Sequence, residues 1–139
     1  MNAAWRLVER ESKRSVVDRL EVADRYWSRL AGLQFRPKPS PGFGLLLVPC
    51  SSIHTCFVRF SINLLAVDRV GRVIEVRHDV RPWRLVLPAR STFDVVEIPS
   101  GDEGGKVGVG TMLRLVPPEK SRRRISGRLA AWCGEIEMK

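Results

Sequence analysis

The stretch INLLAVDRVGRVIEVRHDV (residues 62–80) decides the fold class. Its two arms, 62–68 and 72–80, are of strand length and rich in β-branched residues and leucine. The segment DRVG (68–71) between them reads as a short hairpin loop, with Gly71 free to take a positive φ.

The same pattern continues on both sides. GLLLV (44–48) and HTCFVRF (54–60) precede the hairpin, and FDVVEI (93–98) and TMLRLV (111–116) follow it, each closed by Pro, Gly or a charged turn. Near the start, WRLV (5–8) and VVDRLEVA (16–23) read as two further strands around the charged turn ERESKRS. One helix is expected, with Asp24 as its N-cap, RYWSRLA as its body, Trp27, Leu30 and Ala31 on one face, and Gly32 as the left-handed stop. RPKPSPG (36–42) holds three prolines within five residues and cannot be regular structure. SGDEGGKVGVG (100–110) is a glycine-rich approach to the last strand, not a phosphate loop, because no Gly-Lys-Ser/Thr occurs and no helix follows. The expectation is a mainly β (α+β) fold: a compact antiparallel β-sandwich or barrel-like domain with one short helix near the start. It spans residues 1–116, and a basic tail, 117–139, is loosely docked or partly disordered, with a short helix over 125–138 as the ordered alternative.

Size and composition set bounds on function. A chain of 139 residues is one domain, and at this length folding removes roughly 68% of the extended chain's surface from water, so no disulfide, metal or cofactor is needed as a staple. The longest apolar run, GFGLLLVP (42–49), is far short of the roughly 18 residues of a membrane helix. The charged opening MNAAWRLVERESKR is unlike an export signal, and three cysteines are an odd number for a disulfide framework, so the cytoplasm is the expected location. A net charge of +9 favours anionic partners, nucleic acid among them. The arginines are scattered, however, and the one dense cluster is KSRRR (120–124).

Chemistry concentrates in PCSSIHTCFVRF (49–60). If this stretch is extended, Cys50, His54 and Cys56 share one side and could hold a metal, with a fourth ligand from His78, Asp79, Glu97 or Cys133. No CxxC or HxxxH pair supports such a site, and buried cysteines beside a hydrogen-bonded histidine account for the same pattern. A Cys56–His54 nucleophile pair would need strand neighbours roughly 6–7 Å apart to meet, and no Gly-x-Ser-x-Gly elbow supports a serine hydrolase. Polar residues inside apolar strands are the better lead: His54, Thr55, Arg59, Asn63 and Glu97, with Glu97 and Arg59 as the first candidate pair, form either a fold-specifying network or a ligand pocket.

The order of motifs, VADRYWSRLAGLQFRP, then IHTCFVRFSINLLAVDRVGRVIEV, VRPWR and VVEIPSGDEGGKVGVGTML, resembles the domain of unknown function 192 family over residues 16–116. Arg29, Gly32 and Leu33 match its helix end; Ile53, His54, Thr55, Arg59 and Phe60 match its central motif; Asp68, Gly71, Pro82, Glu97, Pro99 and Gly101 match the later ones. The sequence departs from the pattern at Val58, Asn63 and Thr111, where the family has Met, Asp and Asp, so two carboxylates of the family pattern are missing. The resemblance implies a compact antiparallel β domain with no established activity, with some relatives beside pilus or secretion genes. The functional expectation is a non-enzymatic domain that binds a small ligand or a protein partner, or serves as an accessory protein. The alternatives are a metal-assisted or hydrolase-like enzyme using His54 and Glu97, and nucleic-acid binding through the basic surface and tail.

Overall fold

In the computed structural model, residues 5–101, 106–118 and 132 are described. Among the described residues, nine strands and one helix are named, in the order β1 (Trp5–Glu9), β2 (Ser15–Ala23), α1 (Tyr26–Ala31), β3 (Phe43–Leu47), β4 (Ile53–His54), β5 (Ile62–Val67), β6 (Val73–Val80), β7 (Leu85–Val86), β8 (Asp94–Pro99) and β9 (Leu113–Val116). Seven strands form one sheet in the order β6-β5-β8-β3-β2-β1-β9, and β4 pairs with β7 in a second, two-stranded sheet. The edge strands of the large sheet approach each other at one bridge, Arg72 with Met112, so the sheet curls into a sandwich-like form without closing into a barrel.

The hairpin that decided the fold class forms as its sequence dictates. β5 and β6 pair antiparallel, Asp68 N donates to Arg72 O at 3.0 Å, and Gly71 sits at φ +87°, where an added Cβ would lie 3.0 Å from Leu113 O. Asp68 Oδ1 accepts from the backbone of Val70 and Arg72, which holds the loop closed. One pair departs from the antiparallel expectation. β2 and β3 run parallel, because the connection between them is long enough to carry α1 and cross back.

Side-chain alternation on the central strands builds two cores. Leu46, Leu65, Val67, Val96 and Ile98 face one cluster with Leu7, Leu20, Val73, Leu113 and Trp132. Leu45, Leu47, Ile62, Leu64 and Val95 face the other, under Leu33, Ile53, Val58 and Val86. Strands buried on both faces read as continuous apolar runs, which is why β3, β5 and β8 show little polar alternation. Of the tail, Pro117, Pro118 and Trp132 are described. The Trp132 indole is buried and its N–H donates to Asp94 Oδ2 at 2.7 Å. The expectations for the order of 119–139 otherwise fall outside the described residues.

Two sequence expectations are corrected. The helix begins after Arg25, not Asp24, with Arg25 N bonded to Ser28 Oγ at 3.2 Å. Its expected apolar face is open: Trp27, Leu30 and Ala31 are exposed, and the buried anchor is Leu33, one residue beyond the Gly32 stop. The stretch 54–60 is not a strand. β4 ends at His54, and the chain then turns at Phe57, whose φ is +64°. Here a backbone turn overrides β propensity, and Val58 and Phe60 beyond it both join the second core.

Candidate ligand pocket

Glu97 is the residue out of place. It pairs across β8 with Leu45 on β3 and Leu64 on β5, and the same alternation that buries Val95 puts its carboxyl on the face of the second core. It is 3% exposed, and Oε1 has no hydrogen-bond partner among the described residues. Burial without a partner favours the neutral acid, and the Glu97 pKa is pushed up to about 8, with only Arg36 opposing the rise. Arg36 is itself engaged by Glu21 at 2.8 Å.

Glu97 forms part of the wall of a cavity of about 320 Å³, together with Arg29, Gly32, Cys50, Ser52 and His54. Each side of the cavity follows from local structure. Arg29 Nη1 donates to Asp24 O at 3.0 Å and to Val48 O at 3.3 Å, so α1 is tied across the ends of β2 and β3. Gly32 ends the helix at φ +49°, and a Cβ there would come within 3.7 Å of Glu97 Oε1, so glycine permits the stop and places no side chain between the helix end and the carboxyl. On the opposite side, Cys50 Sγ bonds Ser52 O at 3.1 Å. Burial is the largest cause pushing the Cys50 thiol up to about 11, with the Glu97 and Asp94 charges adding to it and the Ser52 contact and Arg29 opposing. Cys50 is therefore a neutral lining group and not a poised nucleophile.

The five polar candidates separate. His54 and Glu97 line the same cavity. Arg59 is exposed and forms no ion pair among the described residues, so the expected Glu97–Arg59 pair is not made. Asn63 is buried, and its Oδ1 accepts from Asp79 N at 2.9 Å, holding β6 where Asp79 takes φ +53° beside a register shift. Thr55 is fully buried. Its Oγ1 donates to Arg81 O at 2.6 Å and accepts from Arg84 N at 2.8 Å, while its own backbone bonds Arg84 O and Trp83 N. It clasps the 81–84 turn onto the chain after β4 and does not reach the cavity. Thr55→Val keeps the shape and strands both partners, so it is expected to cost about 1–3 kcal/mol in urea unfolding. A loss under about 0.5 kcal/mol would show that the clasp is not made in solution.

The alternative metal reading of Cys50, His54 and Cys56 gains no support from the geometry, and Cys133, a possible fourth ligand, lies outside the described residues. It required an extended 50–56 segment, and with β4 only two residues long the three side chains do not converge. No group of three His, Cys, Asp or Glu side chains among the described residues is placed to hold a metal ion. Among those residues, no helix is long and apolar enough to cross a membrane. Arg29, Ser52 and the shape of the helix end were not readable as pocket residues. The one signal was Gly32, since a glycine stop facing a lone acid needs both to be seen in space.

Comparison with known proteins places this geometry in a wider group. The UPF0127 protein of Pyrococcus abyssi (strain GE5 / Orsay) is 30% identical over 89 residues, covering 60% of this chain and 73% of that protein. A crystal structure of a protein of unknown function from Novosphingobium aromaticivorans shares the fold at TM-score 0.67 and 16% identity, over 79% of this chain and 82% of that one. A Sinorhizobium meliloti 1021 structure, described as "a putative transcription regulator", does so at TM-score 0.67 and 20% identity, over 82% and 95%. At these identities the two structures establish fold alone. The model of the domain of unknown function 192 family, described as "Uncharacterized ACR", matches residues 7–114, and the chain belongs to that family.

Proposed function

We propose that the domain binds a small neutral ligand in the cavity beside Glu97, held by the protonated carboxyl. The observation that carries this reading is the Glu97 carboxyl itself: buried, with Oε1 lacking a partner, on the wall of a cavity of about 320 Å³. A structural network would supply that partner from within the fold, because an unpaired buried polar atom is costly. Here both cross-strand neighbours are leucines. A neutral carboxyl donates through O–H and accepts through C=O, so it matches an edge with a carbonyl beside an N–H, as in amides, ureas and lactams. The cavity is at the small end of ligand pockets, which limits the ligand to a compact molecule.

Ligand-observed NMR with a panel of small amides, ureas and lactams tests this. Binding is expected to be lost in Glu97→Leu and to be constant below about pH 8, then to weaken roughly tenfold per pH unit above it, since only the protonated acid can donate. Hits whose affinity ignores Glu97→Leu would overturn the reading, and so would affinity that rises with pH, which marks a cationic ligand. A second reading, a hydrolase-like enzyme, rests on His54 lining the same cavity. It predicts that a hit is slowly cleaved in wild type and not in His54→Ala.

A further inference from the structure

We propose that the aromatic ladder Phe35, Phe57 and Trp83, with the arginine-lined groove beside it, is a binding surface for an unpaired nucleic-acid strand. Phe35 stacks on Phe57 with centroids 5.0 Å apart, and Trp83 meets Phe57 edge-on at 4.7 Å. The rings are nonetheless 67%, 46% and 60% exposed. All three residues sit in the left-handed region, at φ +63°, +64° and +65°. That conformation is strained for bulky side chains and free for glycine, so three aromatic residues there mark a surface that the fold supports without needing it for its core. The ladder is also rigid. Phe35 N bonds Phe57 O at 2.9 Å, Trp83 N bonds Thr55 O at 3.0 Å, and the Thr55 clasp fixes the turn that carries Trp83.

The same turn carries Arg81 and Arg84, which line a groove of about 420 Å³ with Arg77, His78 and Asp79. Arg77 is engaged by Glu75, and Asp79 is the one acidic residue of the lining. Arg81 and Arg84 have no ion pair among the described residues, nor does exposed Arg59, two residues past Phe57. Flat exposed rings beside unpaired arginines match a partner that offers both flat faces and regularly spaced negative charge. A duplex hides its base faces, whereas a single strand presents bases to the rings and phosphates to the arginines. This surface shares no lining residue with the cavity at Glu97.

Fluorescence anisotropy of a short fluorescein-labelled oligothymidylate, titrated with full-length protein at low and moderate salt, tests the proposal. The single strand is expected to bind more tightly than a duplex of equal length. Phe57→Ala and Trp83→Ala should each weaken it roughly tenfold, while Phe57→Tyr and Trp83→Phe retain binding. Arg81→Ala and Arg84→Ala should each lower the salt slope by about 0.7. Trp83→Gly relieves the left-handed backbone, so a folded protein with weakened binding is expected, which separates lost stacking from lost folding. The proposal is overturned by any of three results: no binding at low salt, equal binding of duplex, or unchanged binding in folded alanine variants. Competition by polyglutamate at equal charge would overturn it in favour of an acidic protein partner. Glu97→Leu should leave this binding unchanged, so failure here and failure at the cavity are distinguishable.

Discussion

Glu97→Gln is expected to abolish a decline in stability that the wild-type protein shows between pH 4.5 and about pH 8. The sign follows from proton linkage. Between those limits the unfolded chain has released the Glu97 proton while the folded protein still holds it, so raising the pH favours the unfolded state. Stability contributed by the protonated acid is complete below pH 4.5 and is lost as pH rises through about 8. The slope is about 1.4 kcal/mol per pH unit, and the loss over the window is on the order of 5 kcal/mol. Glu9 and Glu75, held below the usual carboxylate range chiefly by hydrogen bonds from Arg14 and Arg77, act in the opposite sense and below pH 4.5, so the two effects do not overlap. Glu97→Met, close in shape and apolar, should exceed wild type in stability above pH 8, because it removes a buried charge that has no partner. Urea unfolding across this range measures both. A wild-type curve that is flat from pH 5 to 8, or that rises, would mean the carboxyl is solvated or paired.

Trp132→Ala is expected to cost about 3–5 kcal/mol, a large part of a small domain's stability. The ring is 3% exposed and lies within the first core beside Val73 and Leu113. Its atoms come within 3.6 Å of where a Cβ on Gly71 would stand, so it caps the β5–β6 hairpin, and its N–H reaches Asp94 on β8. Trp132→Phe should lose less, about 1–2 kcal/mol, by keeping the packing and removing the bond to the buried acid. A change under about 1 kcal/mol in Trp132→Ala would show that this ring does not dock in solution.

What the sequence disclosed and what it concealed follow physical lines. The β5–β6 hairpin was legible because its determinants are local: two strand-length apolar arms and a loop whose acid and glycine close it on themselves. Glu97 was legible as an anomaly, since a carboxylate inside an apolar run is costly wherever it points. That its Oε1 is left without a partner was not legible. Arg59 has the right charge, but Phe57 turns the chain through a left-handed conformation that β propensity gives no hint of, and Arg59 is left at the surface. Thr55 and Asn63 stand out in the sequence as polar residues within apolar stretches, yet their partners, Arg81, Arg84 and Asp79, lie 16 to 29 residues away, beyond the reach of local patterns. The parallel β2–β3 pair is of the same kind, a long-range choice made by the crossover through α1. The exposure of Trp27 and Leu30 on α1 was not legible, because helix periodicity shows where apolar residues align, not whether anything covers them.

The most direct measurement is the titration of the Glu97 side-chain carboxyl by carbon-detected NMR on selectively labelled protein. A midpoint near 8 is expected, well above the ordinary value, with a downward shift when Gly32 or Leu45 is changed so that water reaches the acid. A midpoint near the ordinary 4.5 would contradict it, because the carboxyl would then be ionised, hydrated or paired at neutral pH and could not serve as the donor at the centre of the pocket.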